Sequence, residues 1–152
     1  MKAIVVMSDT HNILRPTDEF FDVLQECHFI FHLGDGSSDV EMLRQAFGDK
    51  VVAVKGNCDH SDLPLQRIVQ VEEVKFLLTH GHCYKVKSDT VDLHTECLIE
   101  GVNAGLYGHT HRAQIDVDEG VTLINPGSLS YGRTYCYVTV QGDRLFSKIV
   151  TL

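Results

Sequence analysis

The chain has 152 residues, a formal net charge of -8 and 43% hydrophobic residues, enough for one domain to bury a real core without a metal or disulfide to hold it. Its acidic balance excludes a non-specific nucleic-acid binder, whose affinity comes from lysine and arginine neutralising phosphates. Five scattered cysteines with no C-x-x-C pair exclude a disulfide frame or a zinc ribbon and imply reduced thiols in the cytosol.

In chain order, "KAIVVM" at residues 2–7 is a buried-strand run, too short for a signal-peptide h-region, and no later run reaches bilayer length. A cytoplasmic protein with no membrane partner is expected. "TDEFFDVLQEC" carries Phe20, Leu24 and Cys27 at helical spacing, and "FIFHL" is the second strand. Ser38 with Glu41 three residues on predicts a capping box opening the helix "DVEMLRQAF", which Gly48 ends. "KVVAVKG" is the third strand, so the first third alternates as β-α-β units of a parallel sheet.

After Pro64, "QRIVQV" and "KFLLTH" flank Glu72-Glu73 like a hairpin, and "SDTVDLHTECLIE" is a helix closed by Gly101. The remaining strands are "AGLYGH", "AQIDV", "VTLINP", "TYCYVTV" and "LFSKIVTL". A mixed start and an all-β finish predict two sheets packed face to face with helices outside, sharing one core in a single domain over residues 1–152.

The polar residues gather where those strands end: "SDTHN", "HLGDG", "KGNCD", "LLTHGH" and "GLYGHTH". Ligands of open α/β sheets collect beyond the carboxyl ends of strands, on loops that a rigid sheet positions. An isolated Asp is more often a helix cap, and each glycine beside these clusters an ordinary turn residue. Such readings treat the residues singly and leave the repetition after five strands unexplained.

Asp9, His11, Asp35, Asn57, His80, His109 and His111 are too many ligands for one ion and suit two ions sharing Asp35. In extended backbone His109 and His111 project to one face, so adjacent rings can serve adjacent ions about 3.5 to 4 Å apart. The count leaves open which ring serves which ion. Mixed nitrogen and oxygen donors without thiolate suit Mn, Ni, Fe or Zn better than calcium. Two divalent ions are therefore the expected cofactors; the donors do not choose among these metals, and manganese is named first. Two such ions against two carboxylates and a bridging hydroxide form a positive centre that attracts an anion such as phosphate.

The ordered set "SDTHN", "HLGDG", "GNCD", "THGH", "GHTH" and "NPGS" resembles the calcineurin-like metallophosphoesterase superfamily, and its wording is similar to the small microbial phosphodiesterase branch. The likeness runs from the first strand to about Arg133. It implies a four-layer α/β/β/α sandwich of two mixed sheets flanked by helices. It also implies hydrolysis of small phosphodiesters by in-line attack of a metal-bridging hydroxide. Asp9, His11, Asp35 and His111 would hold one ion, and Asp35, Asn57, His80 and His109 the other.

Two positions depart from the family pattern. Cys58 stands where many members carry a histidine that protonates the leaving oxygen, which predicts slow turnover favouring good leaving groups; a thiol near cations can even be a thiolate. Asn12 replaces a common glycine, and asparagine tolerates the left-handed backbone that turn requires. Asn57, Cys58, Asp59 and His82 make up the candidate catalytic set, His82 as a substitute acid or phosphate contact and Asp59 as a residue supporting the ligands. Pro126-Gly127 within "NPGS" suits a type II turn, and Arg112 and Arg133 are candidates for a substrate phosphate. The rival is a non-catalytic metal-binding scaffold, since a eukaryotic retromer subunit resembles this fold, but all seven ligand positions here hold competent donors. A homo-oligomer is compatible with the sequence.

Overall fold

The computed structural model describes residues 1–152. Its elements in chain order are β1 (Lys2–Met7), α1 (Asp18–Glu26), β2 (Phe29–His32), α2 (Ser37–Phe47), β3 (Val51–Ala53), β4 (Gln66–Val71), β5 (Val74–Thr79), α3 (Val91–Glu100), β6 (Ala104–Leu106), β7 (Gln114–Asp118), β8 (Val121–Asn125), β9 (Thr134–Gln141) and β10 (Arg144–Thr151). Two five-stranded mixed sheets result, ordered β10-β9-β1-β2-β3 and β4-β5-β6-β8-β7. β1, β2 and β3 run parallel, as the early alternation predicts, and β9 returns antiparallel beside β1. In the second sheet β5, β6 and β8 are parallel, with antiparallel strands at both edges.

Strand alternation assigns the layers. In β1, Ile4 and Val6 face a cluster of 15 buried residues that also takes Phe76 and Leu78 of β5 and Val138 of β9, so it lies between the two sheets. Val5 and Met7 face the other way, onto Phe20 and Leu24 of α1 and Val40 and Leu43 of α2. A third cluster joins Leu77 of β5 and Leu123 of β8 to Leu93 and Cys97 of α3. Three apolar interfaces separate four layers, and the α/β/β/α sandwich is the observed architecture.

Two local expectations change. The third strand is only Val51–Ala53 rather than the whole of "KVVAVKG", because its only ladder is with β2, which ends at His32 opposite Ala53. The capping box at Ser38 does not form: α2 begins at Ser37 and receives no cap from its own side chains. Its first amides instead donate to side chains from distant loops, Ser38 N–H to Asn12 Oδ1 at 2.9 Å and Ser37 N–H to Asp59 Oδ1 at 3.1 Å. A tertiary carboxylate at the positive end of the helix replaces the local cap. Gly48 and Gly101 do close their helices, at φ 68° and 67°. No helix is long and apolar enough to cross a membrane.

Candidate metal centre

Parallel strands of both sheets deliver their carboxyl ends to one rim. β1 ends into Asp9 and His11, β2 into Asp35, β5 into His80, and β6 into His109 and His111. Five of these residues, Asp9, His11, Asp35, His109 and His111, have φ between 52° and 71°, as does Asn12 at 63°. Side chains with a Cβ occupy this left-handed region at a cost, and such strain persists where packing over-determines it.

The expectation that His109 and His111 share one face of an extended strand is corrected here. β6 stops at Leu106, and both histidines sit in the left-handed loop beyond it. Their rings diverge to separate groups. Nitrogen and oxygen atoms of Asp9, His11 and His111 lie within 4.8 Å of one another, and so do those of Asp35, His80 and His109. In the first group, His111 Nε2 is 3.1 Å from Asp9 Oδ1 and 3.2 Å from His11 Nε2. In the second, His80 Nε2 is 3.2 Å from Asp35 Oδ2, and His80 Nε2 is also 3.9 Å from Asp9 Oδ1, which links the groups.

His80 tests whether a cation fits. The residue is fully buried, and its Nδ1 lies 2.8 Å from the Leu33 carbonyl oxygen, which can only accept a proton. Nδ1 therefore carries the hydrogen, and Nε2 is the ring atom turned to the carboxylates of Asp35 and Asp9. That atom has no hydrogen-bond partner. In the neutral ring a lone pair aimed at two carboxylates is unfavourable by itself, and a cation shared among the three groups, whether a proton or a divalent metal, removes the conflict. The donor set fits divalent metal.

The same surroundings shift the titrations. Burial pushes the His80 imidazole down, but the Asp35 and Asp9 carboxylates outweigh it and leave its pKa raised. Burial of Asp35 works against its charge, yet the His80 ring and the Cys58 N–H, at 2.8 Å from Oδ1, hold the carboxyl well below its usual range. His109 is lowered by burial and then by His80 and Lys87.

A sequence-family model described as the calcineurin-like phosphoesterase superfamily domain matches residues 1–143. The chain belongs to that superfamily. A probable metallophosphoesterase of Methanocaldococcus jannaschii is 36% identical over 98% of this chain and 81% of its own. A phosphodiesterase of the same archaeon is 27% identical over 82% of each chain. Among solved structures, vacuolar protein sorting 29 of Cryptosporidium parvum superposes with a TM-score of 0.86 over 99% of this chain and 91% of its own, at 19% identity, a likeness of fold alone.

Within this calcineurin-like site the other candidates fall into distinct places. Asn57 is exposed in the turn after β3, with Nδ2 3.6 Å from Cys58 Sγ. Cys58 is exposed, and its thiol is pushed up, first by desolvation and then by Asp35. The His82 ring lies 5.6 Å from that of His80 and 6.2 Å from that of His109, and burial and His80 lower its pKa. Its Nδ1 is buried without a partner.

Asp59 holds the second loop. Its carboxylate accepts backbone N–H groups of Gly56 at 2.8 Å, Asp35 and Gly36 at 2.9 Å and Ser37 at 3.1 Å. Gly56 makes this possible, since a Cβ there would stand 2.1 Å from Asp35 Oδ1. Gly108 has a similar role on the opposite loop, where a Cβ would meet Ser8 Oγ at 2.1 Å and Asp9 Oδ2 at 2.7 Å.

"NPGS" braces the site: Gly127 has φ 78°, and its N–H donates to the Asn125 side-chain Oδ1 at 2.9 Å. Buried Asn125 donates from Nδ2 to the Gly108 carbonyl at 3.2 Å and to Thr110 Oγ1 at 2.9 Å, bracing the histidine loop. Ser128 Oγ donates to the Asp9 carbonyl at 2.8 Å. These positioning roles escape a sequence reading because each partner is remote along the chain; the quoted motif was their only trace. Arg133 turns away, its Nε donating to the Leu152 carbonyl at 3.4 Å. Arg112 lines a cavity of about 520 Å³ with Lys87, Ser88, Thr90 and Thr110 on the flank of the histidine loop.

Proposed function

We propose that the chain is a dinuclear metal-dependent phosphodiesterase, a single cytoplasmic domain acting on small phosphodiesters. The observation that carries this reading is the pairing of two donor triads through His80, whose Nε2 faces both Asp35 and Asp9. Asp9, His11, Asp35 and His111 would hold one ion and Asp35, Asn57, His80 and His109 the other, with manganese first and nickel, iron or zinc also suited to these donors. Such ions would supply a nucleophile at neutral pH and stabilise charge on the attacking and leaving oxygens.

The protein's own contribution is order. Asp59 fixes the Asp35 backbone, Asn125 and Ser128 fix the loops of His109 and Asp9, and the Leu33 carbonyl fixes the His80 tautomer. His82 lies beside His80, and exposed Cys58 sits in the loop after β3 beside Asp35. Without a histidine at position 58, proton delivery to the leaving oxygen is weak, so substrates with good leaving groups turn over best.

The decisive experiment strips the protein with chelator, adds back Mn²⁺, Ni²⁺, Zn²⁺ or Mg²⁺, and follows hydrolysis of bis(p-nitrophenyl) phosphate beside Asn57→Ala and His109→Ala. Metal-dependent turnover lost in both variants supports the proposal. Two bound ions with no turnover under any metal would instead mark a non-catalytic scaffold.

A further inference from the structure

Tyr131 is 64% exposed, yet its ring lies against two of the candidate ligands. The centroid is 5.2 Å from that of His11 and 5.9 Å from that of His111, nearly parallel to the latter at 28°. Isolated exposed aromatics are ordinary on protein surfaces. This one stands at the edge of the metal centre, and its remaining surface is open to solvent.

The loop that carries it is tied to the site. Tyr131 N–H donates to Ser128 Oγ at 3.1 Å, and that hydroxyl donates onward to the Asp9 carbonyl. Ser130 Oγ donates to the Thr10 carbonyl at 2.7 Å, and Gly132 N–H to the Ser128 carbonyl at 2.8 Å. The loop is therefore held in place before any ligand arrives and the ring rests against His11 and His111, which lowers the ordering cost of a stack upon it. The chain contains no tryptophan, and exposed Phe21 pairs with Phe47 on the helical layer instead.

We infer that Tyr131 is a specificity residue, a stacking platform for a nucleobase carried on the non-leaving arm of the phosphodiester. The inference rests on the phosphodiesterase reading above. A base has a flat π face and no demand for a particular hydrogen-bond pattern when it stacks on tyrosine. The polar cavity flanked by Lys87 and Arg112 lies beyond His109 and Thr110, and its one aromatic lining residue, Tyr107, is buried. It leaves Tyr131 as the exposed aromatic surface beside the ligands.

The test compares two esters with the same leaving group, thymidine 5′-(p-nitrophenyl phosphate) and methyl p-nitrophenyl phosphate, in the metal-loaded wild type, Tyr131→Phe and Tyr131→Ala. Stacking on an aromatic side chain predicts that the ratio of kcat/KM for the thymidine ester over the methyl ester falls about tenfold in Tyr131→Ala, mainly through KM, and survives in Tyr131→Phe. A bracing role on His11 and His111 alone would lower both esters by one common factor, leave the ratio unchanged and overturn the inference. A second readout needs no turnover. Thymidine titrated into the chelator-treated chain should move the Tyr131 ring resonances in NMR spectra while deoxyribose does not, and no movement up to the solubility limit of thymidine overturns the platform. If neither ester is hydrolysed with any metal, the phosphodiesterase reading fails and the NMR titration alone decides Tyr131.

Discussion

The Asp59 carboxylate accepts the backbone N–H of Asp35 at 2.9 Å, so the loop after β3 holds in place the residue that ends the loop after β2. Four amides converge on that one side chain, three of them at the start of α2 or just before it. Charge-assisted bonds at a helix N-terminus are among the stronger kinds.

Asp59→Ala leaves those amides without their acceptor and is expected to lower stability by about 3 kcal/mol, with Asp59→Asn intermediate. Urea denaturation of the metal-free chain measures it. An unchanged midpoint in the alanine variant would remove Asp59 from the account of how Asp35 is positioned.

On the proposed reading the two donor groups are separable sites. His111→Ala, which takes a donor from the Asp9 and His11 group, and His109→Ala, which takes one from the Asp35 and His80 group, are each expected to reduce bound Mn²⁺ from two ions per chain to one. Elemental analysis after gel filtration gives the stoichiometry. Two ions retained in either variant would mean that the histidine concerned is no ligand.

Cys58→His would restore an acid beside the leaving oxygen. The rate on a poor leaving group, such as an alkyl ester, is expected to rise about 10² to 10⁴-fold while the p-nitrophenyl ester changes little. Paired assays on the two esters read this directly, and equal effects on both would show that proton delivery does not limit the wild type.

His32 makes stability fall with acidity. It is fully buried, its Nδ1 accepts the Gly34 N–H at 3.2 Å and its Nε2 lies 2.9 Å from Thr10 Oγ1, so the neutral ring is the folded form. Burial lowers its pKa to about 4, from 6.5 when free, and neighbouring carboxylates only partly oppose this. The unfolded chain therefore binds a proton that the folded chain refuses, and stability drops as pH falls from 6.5 towards 4. Between pH 7 and 5 the loss from this residue is about 2 kcal/mol. His32→Gln in chelator should flatten the pH dependence of the urea midpoint by that amount, and parallel curves for the two proteins would refute it.

Much of this protein was legible along the chain. Continuous apolar runs placed the first strands, because a strand buried on both faces must be apolar over consecutive residues. Each of the first strands ran directly into Asp, Asn or His, so the seven candidate ligands stood in view before any fold was known. Gly48 and Gly101 closed their helices as read, since the left-handed position they occupy is a local demand.

Tertiary packing decided what local rules could not reach. Ser38 and Glu41 spelled a capping box, but Asp59 and Asn12 arrived from other loops and satisfied the amides of α2 first. His109 and His111 were read as neighbours on one face, whereas their loop is left-handed and sends one ring to Asp35 and the other to Asp9, 102 positions earlier in the chain. Such partners meet only because two separate sheets bring their strand ends to one rim. Residue type and strand order are properties of the sequence itself; which donors come together is set by how the sheets pack, and that is a contact between distant parts of the chain.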